Sequence, residues 1–432
     1  MLLHQVKLPH FKHSAESETV KLPMPDKVVI SMAQHLGAPC TPTVKVGDKV
    51  KIGDVIGSSE AAMSAPVHSS ISGTVTAITD VLHISGRNMQ SVVIENDGLE
   101  QISDSVCPPT VENREQFLQA VRNSGSIGLG GAGFPTSLKL GFDPKEKQPD
   151  FLIINGAECE PYITSDYRCF MEEGEDVLEG VLLMLKYLGI PKCVIGIENN
   201  KPKAIEKMTR LCEKHDNITV KPLKSSYPQG AEKTLIFSTT GRVVKEGTLP
   251  IASGCIVVNS STAAFIAQYI RTGMPLVKRR ITVDGNIVKK PSNFIVPVGM
   301  SIGEIVYYAE LSDKPDRIIL GGPMMGACAF DPDYPLSKTN NAVLMFADSP
   351  VYEPSDCIRC GKCVKACSMN LLPTELEHAF DMRDARQLEK LKVNLCVNCG
   401  ACSFVCPAKR NLAEKNQLAK AFLRERSTRK GK

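Results

Sequence analysis

The 432-residue chain contains no tryptophan, and only 5% of its residues are aromatic. Basic residues are not interleaved with aromatic stacking platforms, so nucleic acid is not an expected partner. Long apolar runs are also missing. The longest uncharged stretch, residues 247–270, carries Pro250, Asn259, Gln268 and several hydroxyls, which is too polar for a bilayer span. No basic-then-apolar leader opens the chain, so no membrane crossing is expected. With 23% charged and 43% hydrophobic residues, the composition is that of an ordinary globular protein. A net charge of +4 hides an asymmetry, because nine Lys or Arg from Lys409 onward face only Glu414 and Glu425. Residues 411–432 read as a basic, solvated tail, with contact to anionic headgroups or an acidic partner as the alternative.

No disulfide framework is visible either. Cys40, Cys107, Cys159, Cys169, Cys193, Cys212, Cys255 and Cys328 are scattered, as in a protein of a reducing compartment. The other eight cysteines form two runs of one spacing. Cys357, Cys360, Cys363 and Cys367 stand at intervals of three, three and four, and Cys396, Cys399, Cys402 and Cys406 repeat them. This is the bacterial two-cluster ferredoxin pattern, in which the fourth cysteine of each run ligates the other cube. The expected quartets are therefore Cys357, Cys360, Cys363 and Cys406 for one 4Fe–4S cluster, and Cys396, Cys399, Cys402 and Cys367 for the other. Zinc knuckles are the competing reading, but a tetrahedral site gives no reason for cysteines at both +6 and +10. Pro407 follows the second run, whereas Ser368 stands at the matching place in the first.

The remaining chain divides by pattern into a multidomain α/β protein. Residues 1–108 hold short β-branched runs broken by glycine, such as 44–57 and 65–75, which read as strand–turn–strand pairs. They resemble the barrel-sandwich (lipoyl-like) fold, although the turn S-S-E-A-A-M-S lacks the lysine those domains modify. Residues 109–275 alternate helices (112–124, 172–188, 201–215, 260–271) with strands (150–155, 192–198, 218–224), the mark of a largely parallel sheet. Residues 276–345 form a small α+β module with strands at 279–284, 293–298 and 317–320 and a helix at 301–310. A helical two-cluster ferredoxin-like domain is expected at 346–410, with a helix-prone insert at 373–391.

Residues 126–140, S-I-G-L-G-G-A-G-F-P-T-S-L-K-L, contain a formal G-x-G-x-x-G. A dinucleotide fingerprint needs a strand before it, and here a helix precedes. Adjacent glycines still let a backbone approach a flat or anionic ligand, and Pro135 suits the first turn of a helix whose amides attract phosphate. A plain turn between packed elements is the alternative.

This segment resembles the glycine-rich loop of the flavin-bearing subunit of respiratory complex I. N-G-A-E-C-E-P (155–161), Y-P-Q-G-A-E-K-T-L (227–235) and V-V-N-S-S-T (257–262) resemble that family in the same order. The resemblance implies that Gly128, Gly130, Gly131, Gly133 and Lys139 cradle FMN. It also implies that Asn155, Glu158, Tyr227, Gly230, Glu232 and Asn259 line the pocket, and that Phe134 and Glu160 contact NAD(H). Ala157, Ala231 and Ser260 replace polar or acidic residues of the complex I pattern. From about residue 20 to 409 the chain resembles the RnfC components of Rnf ion-translocating electron-transport complexes, carried also by S-M-A-Q-H-L-G-A-P (31–39) and G-G-P-M-M-G (321–326). Residues 5–9 depart from the glycine-containing start of that family.

The likeness implies a β-grasp (SLBB-like) module at 276–345 and a peripheral place on the cytoplasmic face of the membrane. It further implies membrane and redox partner subunits, with ferredoxin reached through them. The expected activity is NAD(H)-dependent oxidoreduction with FMN and two 4Fe–4S clusters. No acid–base residue is assigned as catalytic, because hydride transfer does not strictly require one. A soluble flavin and iron–sulfur reductase, acting on cobalamin or supplying an amino-acid reductase, is the nearest alternative. A pure iron–sulfur carrier with a vestigial flavin pocket is the more distant one.

Overall fold

The computed structural model describes residues 4–430, except the side chains of 428–430. Residues 1–3 of the expected N-terminal module and 431–432 of the expected tail lie outside the described residues.

Alternation of apolar and polar residues builds the first module. Lys27–Ser31 buries Val28 and Ile30 and exposes or half-exposes its other residues. It joins Asn88–Asn96, Gly73–Leu82 and Lys49–Val50 in one sheet, and Thr41–Pro42, Val55–Ser58 and Val67–His68 form the other. Val28, Ile30, Met32, Ile56, Val67, Val75, Val92 and Ile94 fill the space between them. Residues 4–21, grouped with this module by the sequence, leave it. Val20–Lys21 pairs in parallel with Ser292–Pro297 in another sheet.

The central domain is a four-stranded parallel sheet in the order Ile218–Leu223, Lys192–Glu198, Phe151–Gly156, Cys255–Asn259. Nearly continuous apolar runs form these strands because both faces are covered. On one face Ser165–Leu188 and Ser260–Thr272 pack around Ile154, Ile195, Val177, Val181 and Ala263. Glu232–Thr240 covers the other with Leu235 and Ile236 against Ile153, Leu223 and Val257. The long helix starts at Ser165, well before the apolar periodicity that begins at 172, and carries a kink at Glu173 (φ −124°, ψ 28°). Its cap is not local, since the Thr164 side chain makes no capping bond. Glu158 fills that role from upstream by accepting from Asp166 N at 2.7 Å.

The third module is a mixed six-stranded sheet, ordered Val20–Lys21, Ser292–Pro297, Lys278–Gly285, Ala342–Phe346, Arg317–Leu320, Ala327–Cys328. Its helix, Ile302–Tyr307, begins with a Ser301–Glu304 capping box. It stops short of the expected residue 310, where Glu310 turns to φ +53°, a left-handed value no helix continues through.

In the cysteine-rich region short helices Lys362–Ala366 and Ala401–Phe404 follow the first three cysteines of each run. The insert forms Pro373–Asp381 and Ala385–Lys390. The expected solvated tail is instead the helix Leu412–Lys430, with Leu412, Asn416, Ala419 and Leu423 buried. Arg410 and Lys415 bind Glu377 at 2.8 and 3.2 Å and hold it there.

Candidate functional site

Chain connectivity creates the crevice. From Phe151–Gly156 the chain moves outward to Lys192–Glu198 and Ile218–Leu223, then returns to add Cys255–Asn259 on the opposite side. Strand order reverses between Phe151–Gly156 and Cys255–Asn259, and open parallel sheets bind ligands beyond the carboxyl ends at such a point. Asn155 and Asn259 sit at those two ends and are register partners.

The glycine loop lies over Asn259. A Cβ on Gly130 would stand 3.3 Å from Asn259 Nδ2, and Leu129 N donates to Thr262 Oγ1 at 3.0 Å. Gly128 N donates to Phe134 O at 2.8 Å and closes the loop. At the tip Gly131 has φ +102° and nothing within 4 Å of an added Cβ. Gly130, Gly131 and Ala132 are exposed, so the backbone itself is the accessible surface. Gly133 has φ +63°, and a Cβ there would meet Thr339 Cγ2 at 2.7 Å. Lys139 Nζ, one turn into the helix Thr136–Leu140, donates to Glu232 Oε1 and Val257 O, both at 3.1 Å. This cradle suits a flat anionic group.

Asn155 Nδ2 donates to Gly230 O at 3.0 Å. A Cβ on Gly230 would lie 2.4 Å from Ala157 O, so only glycine permits this approach. Asn259 Oδ1 accepts from Ser261 N at 3.0 Å and Thr262 N at 3.3 Å, capping Ser260–Thr272. Its Nδ2 donates to Asp166 Oδ2 at 2.8 Å. Sequence reasoning missed Asp166, whose visible signal was an acid in the first turn of a helix.

The two glutamates of N-G-A-E-C-E-P face different ways. Glu158 is buried and spent on the amides of Asp166 and Tyr167 and the Ser165 hydroxyl. Burial pushes it up to about 7, with Lys12 drawing it back. Glu160 Oε2 accepts from Met324 N at 3.0 Å, and Oε1 lies 3.4 Å from the Tyr227 hydroxyl. Burial raises Glu160 to about 7 against those two contacts. Tyr227 is buried, and its hydroxyl donates to the Cys399 carbonyl at 2.6 Å. The flavin-type crevice and the second cysteine run therefore touch at one side chain.

The cysteine runs repeat each other at the backbone. Arg359 and Asn398 both have φ +55°, Gly361 and Gly400 have +72° and +77°, and Asn370 and Lys409 have +55° and +52°. Left-handed turns at these places aim amides at sulfur: Arg359 N donates to Cys357 Sγ at 3.4 Å and Asn398 N to Cys396 Sγ at 3.5 Å. Cys367, Cys396, Cys399 and Cys402 line one cavity. Burial raises the Cys399 thiol to about 11 and the Cys402 thiol to about 12, and the neighbouring Cys396 and Cys367 add to both shifts. Cys363 is raised by burial too, with Cys406 and Cys357 beside it, while Cys360 lies on the exposed turn between. The fourth cysteine of each run thus stands with the other run, as cross-ligation requires. Among the described residues no three ligand-type side chains converge as a single ion would need.

An α/β crevice of this shape, joined in one chain to a dicluster ferredoxin unit, defines a flavin and iron–sulfur electron-transfer protein. Family models agree: residues 3–99 match the RnfC barrel sandwich hybrid domain, 121–268 the Nuo51 FMN-binding domain, and 356–410 a 4Fe–4S dicluster domain. Among curated relatives, the RnfC-type subunit of the Na+-translocating ferredoxin:NAD+ oxidoreductase complex of Acetobacterium woodii is 41% identical, covering 82% of this chain and 81% of the relative. Its counterpart in the proton-translocating ferredoxin:NAD+ oxidoreductase complex of Clostridium ljungdahlii is 39% identical over 89% of this chain and 85% of its own. The chain belongs to the RnfC family, to which these two relatives belong. A solved NAD+-reducing [NiFe]-hydrogenase in the H2-reduced state matches with a TM-score of 0.51 and 20% identity over 72% of this chain and 63% of that one. That likeness bears on the fold alone.

Proposed function

We propose that this chain is the NADH-side electron-transfer subunit of an Rnf-type complex, linking NADH, FMN and two 4Fe–4S clusters to partner redox subunits. A nicotinamide gives up two electrons as hydride whereas clusters take one at a time, and bound FMN supplies the exchange between the two. The observation that carries the reading is the Tyr227–Cys399 contact of 2.6 Å, which puts the crevice and a cluster quartet against each other.

In this reading the exposed tip at Gly130 and Gly131 meets the flavin phosphate and ring edge, and Gly128 and Gly133 shape the loop. Lys139 and Glu232 form an ion pair at its flank, with Asn155, Gly230 and Asn259 as the floor. Phe134 and Glu160 stand on the NAD(H) side. Glu158 acts indirectly, by seating the helix Ser165–Leu188. Cys357, Cys360, Cys363 and Cys406 hold one cluster, and Cys396, Cys399, Cys402 and Cys367 the other. The mixed sheet with its capped helix is assigned to the β-grasp (SLBB-like) type. Among the described residues no helix is long and apolar enough to cross a membrane, so ion movement is assigned to partners, and the subunit to the cytoplasmic face.

Anaerobic purification, acid extraction and iron analysis test this. One FMN and about eight irons per chain, with NADH oxidation coupled to a viologen dye, are expected. Iron without flavin and without NADH oxidation leaves only an iron–sulfur carrier.

A further inference from the structure

The segment before the barrel-sandwich module runs as a strap over the crevice loops. Gln5 Nε2 donates to Gln229 Oε1 at 2.9 Å, and Ser226 Oγ donates to Gln5 Oε1 at 2.7 Å. Val6 and Tyr227 exchange backbone hydrogen bonds of 2.9 and 2.8 Å. Leu8 is buried with Tyr227, Ala366 and Ala401. Tyr162 N donates to His10 O at 2.9 Å, and Ser14 Oγ lies 2.6 Å from Thr164 Oγ1.

Lys12 is the centre of this contact. Its ammonium donates to the carbonyls of Glu158 (2.9 Å), Glu160 (2.8 Å) and Ile163. All three of its N–H groups are thereby taken by one loop, residues 157–163. Lys201, paired with Glu198 at 2.7 Å, lies 3.4 Å from the same Glu158 oxygen. Among the described residues, Lys12 is the cation that joins all three carbonyls. Carbonyl dipoles aimed at one point repel unless positive charge stands there, and in a part-buried site that charge acts with little screening. The loop leads from the strand end at Asn155 and packs Ala157 O against Gly230, so its shape is the shape of the crevice wall.

We infer that Lys12 is a positioning residue for the flavin site, holding the loop 157–163 by its charge. This rests on the reading that FMN occupies the crevice. Removing the charge releases the three carbonyls, opens the wall and weakens FMN without disturbing the cysteine quartets.

The test compares wild type, Lys12→Met, Lys12→Arg and Leu8→Ala as anaerobically purified full chains. FMN dissociation constants come from flavin fluorescence, iron is counted per chain, and amide hydrogen exchange is followed across 157–164. Lys12→Met is expected to weaken FMN at least tenfold and speed exchange in the loop, with iron unchanged. Lys12→Arg keeps the charge but presents a planar fork, and is expected to recover most of the affinity. Leu8→Ala removes strap packing and should leave FMN affinity within about twofold. Lys12→Met binding FMN like wild type, or Leu8→Ala weakening it equally, overturns the assignment. Should Lys12→Met lose iron as well and fail to fold, Lys12→Arg decides. Altered loop exchange with retained iron then supports the assignment, and exchange and affinity identical to wild type overturn it. Wild type failing to bind FMN sinks the functional reading instead, and loop exchange in the variants still reports on Lys12.

Discussion

Glu160 is the residue whose charge state the fold leaves most finely balanced. Its folded value of about 7 stands above the ordinary 4.5, chiefly through burial, while Met324 N and the Tyr227 hydroxyl favour the anion. A raised carboxyl contributes stability that is complete below about 4.5 and lost as pH rises through 7. Glu160→Gln cannot ionise, so its flavin-free form should lose less stability than wild type between pH 5 and 8. Part of the group meets solvent, so the difference is expected to be about 1–2 kcal/mol rather than the full linkage value. Thermal melts of flavin-free protein at the two pH values check it, and parallel pH dependence in both proteins refutes it. The glycines and both glutamates of this site were legible in the sequence because their motifs lie in short contiguous runs. Asp166 and Lys12 were not. Each meets its partners only after distant segments come together, Asp166 with Asn259 and Lys12 with the loop after Asn155.

At the scale of elements, the same contrast separates the four central strands from the last helix. The strands are apolar on both faces and announce themselves. The buried stripe of Leu412–Lys430 is Leu412, Asn416, Ala419 and Leu423, spaced as a helix face should be. One of those positions is polar and one small, while Leu418 is 48% exposed. A basic composition with no apolar stripe therefore read as solvated. The helix packs on Pro373–Asp381, and Lys420 Nζ donates to the Cys396 carbonyl at 2.8 Å. Leu423→Ala opens space beside Leu376 and Phe380 in that core and should cost about 2–3 kcal/mol. Because Cys367 and Cys396 pack against the same core, the variant should lose iron faster than wild type on exposure to a chelator, with FMN retained. Iron loss at the wild-type rate would show that the helix does not support the cysteine runs.

Over the whole molecule, the cysteine-rich domain is seated on the rest by a small set of contacts, and several pass through Tyr227. Its hydroxyl holds the Cys399 carbonyl, its backbone pairs with Val6, and its ring shares a buried cluster with Leu8, Ala366 and Ala401. Gly400 lies close beneath the Met324 carbonyl, where a Cβ would come to 2.8 Å. The connection from the third sheet, residues 351–360, is exposed throughout and has no regular structure, so it adds little to the seating. Sequence patterns revealed each module separately because each has its own periodicity or spacing, but the seam between them is written in single residues far apart in the chain. Tyr227→Phe removes the hydroxyl and leaves a buried carbonyl short of a donor, a loss of about 1–3 kcal/mol. Combined with Leu8→Ala it should free the domain to lift away. Limited proteolysis is then expected to cut within 351–360 several-fold faster than in wild type. The released C-terminal fragment should keep its iron when the cut falls before Cys357, because the fourth cysteine of each run stands with the other run and both runs then lie beyond the cut. A fragment that sheds its iron on release would mean that the quartets depend on the flavin domain for their shape.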